Sequence, residues 1–399
     1  MEICLVGSLL PTEVFDDIVK KSKAKPSNAP ENFQMMLAKG LAAHCDKVTV
    51  ISFPTMAPYP KGPSLCLSER RYELFGNIQI ISAPMLNFQG AKQKTIHFYA
   101  YQYVKNWLKN STDHSKIVIS YSDYPPYADA CRKACAEDIH AKCVLLMTDL
   151  PTYSLYKHKK SVYSYMMRQM DRRRIENYDK FDAYILLTQY MQEEMRVQAK
   201  PTIVVEGFSD PDAHDFTETK AQKKTLMYAG ALSRVHNVHT LISAFQKTSM
   251  DVDFWVYGDG ELRDAVVAAS KVDCRIHYFG KVSREEMLCA QKRAHLLISA
   301  KATDDVHTKF AFPSKILEYM SSGTAVLSTR VGGIPNEYFE YLLPIEDEST
   351  NGIADSIENA FSKTKEELED VGNKAREFAV LKKNCYRQGE RIVAFLCQL

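Results

Sequence analysis

In the run FAFPSKILEYMSSG, a proline, a cation and a carboxylate stand at 313, 315 and 318, the spacing of one and a half helical turns. Pro313 has a fixed φ and no amide proton, which suits the start of a helix. Ser314 and Lys315 then fall in the first turn, and Glu318 lies one turn further along the same face. The free N–H groups and positive potential of a helix N-terminus suit a diphosphate. Lys315 adds a mobile cation at that spot, and the Glu318 carboxylate can accept two ribose hydroxyls. The alternative is an amphipathic helix whose Lys and Glu are merely solvated. A cation in the first turn runs against the helix dipole, so the phosphate reading is preferred. Gly323 then ends the helix and residues 325–328 form a strand.

Other chemistry-bearing residues are more ambiguous. Asp149, in MTDLPTY, either binds an acceptor hydroxyl or caps the following turn. SYSDYPPY, at 120–127, offers Asp123 and three tyrosines, either as a platform for a sugar or as packing beside prolines; packing is the commoner outcome. His236 and His239, in HNVH, have three-residue spacing but no carboxylate or cysteine to complete a metal site. Asp304 and Asp305 follow the apolar run at 296–299 without making a convincing metal motif, so no essential metal is expected. The ten cysteines are scattered with no CxxC pair, and Cys131 and Cys135 share a helix face without a second pair. They read as reduced thiols.

These residues need rigid elements to position them. Short runs rich in Val, Ile and Leu occur at 3–6, 48–53, 78–82, 117–120, 143–147, 184–187 and 202–205, then at 225–228, 254–257, 276–279, 296–299 and 325–328. Stretches of helical period separate them. Runs this uniformly apolar suit parallel strands buried on both faces, so the fold class is α/β with doubly wound sheets. The polar stretch SDPDAHDFTETKAQKK divides two such series. The expected organisation is an N-terminal Rossmann-like domain over 1–208, a linker over 209–223, a C-terminal Rossmann-like domain over 224–378, and a helix over 379–399 that packs back on the first domain. Ligands in such sheets bind beyond the carboxyl ends of the strands.

Composition narrows the partners. A net charge of +2 makes no demand for nucleic acid. MEICLVGSLL carries Glu2 where a signal peptide needs a basic region, so it reads as a first strand. No run of about 18 apolar residues occurs, and a cytoplasmic protein is expected. Residues 156–180 are basic and rich in Tyr and Met; as a helix they would either rest on an anionic membrane and meet a lipid-linked acceptor, or turn their apolar stripe to the core, the preferred reading.

Four segments carry a resemblance: FPSKILEYMSSGTAVLSTRVGGIPNEY, YAGALSRVHNVHTLISAF, FWVYGDGEL and HYFGKVSREEM. Together they resemble retaining GT-B glycosyltransferases of the family-four type, especially polysaccharide-assembly members, over residues 225–345 and only weakly in the first domain. The resemblance implies two Rossmann-like domains facing across a cleft. It implies a nucleotide-sugar co-substrate, UDP-sugar first and GDP-sugar second, with no other cofactor, and a saccharide or lipid-linked saccharide acceptor. Residue by residue, Glu318 should bind the donor ribose, and backbone around Phe312, Pro313, Ser314 and Lys315 should hold the phosphates. Gly230, Ser233, Gly258 and Gly260 should line the nucleotide, and Gly280, Lys281 and Val282 should read the base edge. Gly7 and Ser8 match the loop lining the donor side of the first domain. Three positions depart from the pattern: Phe310 stands where the first Glu of a Glu–x7–Glu motif belongs, and Ala231 and His236 replace an Arg and a Lys. Lys315 and Arg234 are the substitute cations, with His236 if protonated. Two rivals are a related sugar-nucleotide epimerase and a non-catalytic glycosyltransferase-like subunit that binds a nucleotide sugar or a partner enzyme.

Overall fold

Alternate residues of the strands in the second half of the chain are sorted into two separate apolar layers. Leu226, Tyr228, Phe254, Val256, Leu296 and Ile298 belong to one buried cluster; Met227, Ala229, Tyr257 and Leu297 belong to another. A strand with both faces covered must be apolar at every position, and this explains why the runs in the sequence show no polar alternation.

The structure is a computed structural model that describes residues 1–150, 165, 171, 174–213, 216–303 and 306–399. The expectation for residues 156–180 falls largely outside the described residues, and that for Asp304 and Asp305 wholly outside them. The chain divides into two compact units, Met1–Phe208 with Cys385–Leu399, and Ser209–Asn384.

In the first unit the strands are β1 (Glu2–Gly7), β2 (Lys47–Ser52), β3 (Cys66–Leu67), β4 (Arg70–Leu74), β5 (Ile78–Ser82), β6 (Met85–Leu86), β7 (Lys116–Tyr121), β8 (Ala141–Met147), β9 (Ala183–Leu186) and β10 (Thr202–Val204). Its main sheet runs β10-β9-β8-β7-β1-β2-β5-β4, and all neighbours are parallel except the antiparallel pair β4 and β5. The β3–β6 pair stands apart as a short antiparallel ribbon. The helix Cys385–Leu396 lies on the helix Ala29–Ala42, where Gly40 and Gly389 let the two backbones meet, and Ile392 and Leu396 join the same core as Leu37 and Leu41.

In the second unit β11 (Thr225–Ala229), β12 (Asp253–Tyr257), β13 (Ile276–Gly280), β14 (Leu296–Ser299), β15 (Ala325–Thr329) and β16 (Leu343–Ile345) form an all-parallel sheet in the order β13-β12-β11-β14-β15-β16. This is the doubly wound dinucleotide-fold order. The chain reverses direction between β11 and β14, and the crevice at the carboxyl end of that pair is where such sheets receive ligands. In the first unit the corresponding reversal lies between β1 and β7.

Candidate functional site

The end of β11 is built around one carbonyl. Ala229 O accepts hydrogen bonds from Lys315 Nζ and, at 3.0 Å, from the Tyr319 hydroxyl, which also accepts from Ala229 N at 2.8 Å. Lys315 and Tyr319 lie one turn apart on the helix Lys315–Ser321, so helical spacing brings both to the same strand end. The next residue is Gly230, whose N–H donates to Tyr257 O at 3.0 Å. A Cβ on Gly230 would run into the Lys315 amine, so the glycine is what admits the cation here. The ammonium also lies 5.8 Å from the centre of the Tyr228 ring. Burial pushes Lys315 down to about 8, against a smaller opposing pull from Glu318.

Glu318 is half-buried, and its Oε1 accepts from Gln291 Nε2 at 2.6 Å. Gln291 is fully buried on the helix Arg284–Arg293. Nothing in the sequence pointed to Gln291; its role comes from packing between two helices distant in the chain. Ser314 is exposed at the start of the Lys315 helix, Pro313 is half-buried, and Phe312 is buried against the Tyr338 ring at 5.3 Å. Gly323, with φ +78, ends the helix region as its type suggests. Phe310 is 7% exposed, so an apolar ring occupies a buried position where the resemblance places a carboxylate.

The loop after β11 is held by the loop after β12. Leu232 N donates to Asp259 O at 3.0 Å, Leu262 N to Leu232 O at 2.9 Å, and Arg234 N to Glu261 Oε1 at 2.9 Å. Gly258 adopts φ +127, and a Cβ there would collide with the Gly230 carbonyl, so both its torsion and its surroundings require glycine. Its N–H donates to Gly280 O at 2.8 Å, and its carbonyl accepts from the Tyr278 hydroxyl at 3.0 Å. Gly260 abuts Leu232 O. Gly230, Gly258, Gly260 and Gly280 therefore meet in one hydrogen-bonded rim at the carboxyl ends of β11, β12 and β13. Lys281 is exposed and Val282 half-buried directly after it.

Ser233 Oγ and His236 Nδ1 are 2.7 Å apart. Burial, with Lys301 and Lys315 nearby, holds His236 below the usual imidazole value. The cationic form, on which a charge role for His236 was conditional, is thus disfavoured, first by burial and then by the two lysines. The Arg234 side chain is exposed. Lys315, Gly230, Ser233 and His236 thus share one strand end.

In the first unit Gly7 and Ser8 follow β1. Ser8 N donates to Gln34 Oε1 at 2.9 Å, Gln34 Nε2 donates to Ser8 Oγ at 2.9 Å, and Ser8 Oγ donates to Glu31 Oε1 at 2.6 Å. Glu31 is 5% exposed and its Oε2 has no partner among the described residues. Burial lifts its carboxyl to about 7. Glu31 and Gln34 escaped the sequence reading; the available signal was two polar residues three apart on one face of the Ala29–Ala42 helix. Asp149 is exposed after β8, and its Oδ1 accepts from Leu150 N at 2.9 Å. Asp123 is buried, bound by the Arg174 guanidinium and by the Tyr178 hydroxyl at 2.7 Å. That network fits its packing role. Among the described residues, no group of His, Cys, Asp and Glu is arranged to hold a metal.

Comparison with known proteins adds the family context. Residues 223–363 match the family described as "Glycosyl transferases group 1". The chain is similar to N-acetyl-alpha-D-glucosaminyl L-malate synthase of Bacillus anthracis, 28% identical over 41% of this chain and 44% of that protein. It is also similar to one of the subunits of human phosphatidylinositol N-acetylglucosaminyltransferase, 23% identical over 46% of this chain and 39% of that protein. The alignments thus span less than half the length of these relatives. Among solved structures, Anabaena HepE in complex with UDP superposes with a TM-score of 0.65 at 14% identity, covering 100% of both chains. With the strand order and glycine rim above, residues 223–363 are a glycosyl transferases group 1 domain in a chain of the α/β GT-B fold.

Proposed function

We propose that the chain is a retaining glycosyltransferase that moves a sugar from a UDP-sugar to a hydroxyl of a saccharide or lipid-linked saccharide in glycan assembly. GDP-sugar is the second choice of donor. The C-terminal domain holds the donor and the N-terminal domain the acceptor, at the cytoplasmic face of a membrane. The observation that carries this reading is the desolvated Lys315 ammonium fixed at the end of β11 beside Gly230. A diphosphate brought to that point supplies the anion the buried cation lacks. The names of both relatives carry an N-acetylglucosaminyl group, so UDP-N-acetylglucosamine is the first donor to try.

In this reading Glu318, already oriented by Gln291, anchors the donor ribose, while Lys315 and Arg234 stabilise the departing diphosphate. Neutral His236 donates or accepts a hydrogen bond there and carries no charge. Asp149 orients the acceptor hydroxyl, whose proton passes to a donor phosphate oxygen as the new bond forms on the face the nucleotide leaves. The protein's contribution is positioning and charge stabilisation.

Thermal stability in the presence of UDP, GDP, ADP and their sugar conjugates tests the proposal. A ligand at about 100 times its dissociation constant adds roughly 2.7 kcal/mol to the folded state. Selective stabilisation by uridine compounds supports it. No response to any nucleotide would overturn it. Buried, apolar Phe310 favours one second reading, a subunit that binds a nucleotide sugar without turning it over. Nucleotide binding without release of UDP in the presence of acceptors would select that reading.

A further inference from the structure

β4 (Arg70–Leu74) closes one edge of the eight-stranded sheet, and among the described residues no strand lies on its outer side. In an antiparallel pair, alternate residues turn their N–H and C=O groups away from the neighbouring strand, so part of this backbone is open to a further strand. The other three edges of the two main sheets are poorer templates. β10 and β16 have three residues each, with Pro344 in the middle of β16, and β13 pairs with β12 through a register shift. β4 pairs with β5 at all five residues without a shift, and it contains neither the proline nor the lysine that blunts many natural edges.

The side chains of β4 suit one particular partner. Tyr72 and Leu74 pack on the core of the first unit, while Arg71 and Glu73 stand exposed on the other face. A second β4 laid antiparallel about a two-fold axis at Tyr72 sets Arg71 opposite Glu73 of the second copy, and Glu73 opposite its Arg71. Opposite charges facing each other across strands attract, and like charges repel. Sliding the register by two residues sets Arg71 opposite Arg71 or Glu73 opposite Glu73. A slip of one residue would carry core-facing side chains to the outer face. The charges therefore favour one register and oppose its neighbours. Within the chain Arg71 Nε donates to Glu69 Oε1 at 2.7 Å, and Glu69 is held in turn by the Tyr103 hydroxyl. That pair lies at the surface, and the guanidinium has further N–H donors for a carboxylate across the strands. Phe75, 62% exposed, follows the strand with its ring 5.8 Å from the Lys39 ammonium, leaving an aromatic side chain in water at the end of the same edge.

We propose that a second copy of this chain adds to the β4 edge, pairing β4 with β4 antiparallel about Tyr72 and joining the two eight-stranded sheets into one. The same strand serves on both copies, so the pairing closes as a dimer and leaves no β4 edge from which a fibre could grow. The proposal does not depend on the transfer reaction, and its test needs no substrate.

Sedimentation velocity of the full chain over a range of concentrations reads the dimer directly, and the wild type is expected to dimerise reversibly. Arg71→Glu and Glu73→Arg should each weaken the dimer by about 10-fold or more, since each replaces two attractive cross-strand pairs by two repulsive ones. An equimolar mixture of the two variants should recover wild-type affinity, because every charge then faces one of opposite sign across the strands. The double variant, Arg71→Glu with Glu73→Arg, should recover it within one chain. Both side chains are exposed, so each variant should keep the circular dichroism spectrum of the wild type, and recovery on mixing shows independently that both are folded. A wild type that stays monomeric up to millimolar concentration, a dimer that either reversal leaves unchanged, or a mixture and a double variant no tighter than the single variants would each overturn the proposal.

Discussion

Replacing Lys315 by methionine should make the protein more stable and its nucleotide binding weaker. Burial takes the ammonium from 10.5 to about 8, which at 1.36 kcal/mol per pH unit destabilises the folded state by about 3 kcal/mol near neutrality. Methionine keeps the apolar stem and discards the charge. The Ala229 carbonyl is not orphaned, because the Tyr319 hydroxyl still donates to it at 3.0 Å; losing the lysine's bond costs about 1 kcal/mol. The variant should therefore gain about 2 kcal/mol, or roughly 4–8 °C in Tm for a unit of this size. The sign of the pH dependence follows from a depressed lysine. Below pH 8 the amine is charged in both states and the penalty is fully present. Between pH 8 and 10.5 the folded protein releases its proton first, so the penalty fades to about 1 kcal/mol at pH 10. Urea unfolding of both proteins at pH 7 and pH 10 should show the variant's lead at the first and little of it at the second. With UDP present, the wild type should gain about 1–3 kcal/mol more than the variant. A variant less stable than wild type at pH 7 without nucleotide, or a lead that persists at pH 10, would refute the reasoning.

Glu318→Ala should weaken UDP binding by about 10- to 150-fold, for the loss of a hydrogen bond to a charged acceptor; isothermal calorimetry showing unchanged affinity would sink that assignment. Gly258→Ala should cost about 2 kcal/mol or more, since it combines φ +127 with a collision against Gly230, and a melting temperature equal to wild type would contradict the geometry. Glu31→Gln should leave stability unchanged at pH 4, where the acid is protonated in both states. It should raise stability at pH 8 by up to about 3 kcal/mol, because the folded carboxyl ionises only near 7 while the unfolded one ionises near 4.5. Paired denaturation curves at the two pH values check this, and a difference independent of pH counts against a buried, protonated carboxyl.

Every apolar run picked out in the sequence lies on a strand of the two main sheets, because strands covered on both faces must be apolar throughout. What escaped was of another kind. β4, RRYEL, is an exposed antiparallel edge with little apolar content, and β16 is three residues long with a proline in the middle. At the candidate site Lys315 and Glu318 were legible from helical spacing, since both lie within seven residues of a helix start. The contacts that orient them were not: Gln291 reaches Glu318 across 27 positions, and Lys315 meets Ala229 across 86. His236 was legible as a residue but not in its charge, which depends first on its burial and then on lysines that only the fold brings close. Glu31 was invisible for the same reason, since nothing in its neighbours along the chain says that it is buried.

The first unit is assembled from two stretches of chain, with Cys385–Leu399 returning to it after the whole of Ser209–Asn384. Ile392 and Leu396 fill its core, and the Gly40–Gly389 contact leaves no space for even a methyl group between the helices. During synthesis this unit, although begun first, must wait for its last helix until the second unit has been made. The second unit, formed from one continuous stretch, is free to fold earlier. Until residues 385–399 emerge, the side of the Ala29–Ala42 helix that meets Ile392 and Leu396 has no cover, so premature arrest of synthesis would leave part of the first unit's core open beside an already folded domain.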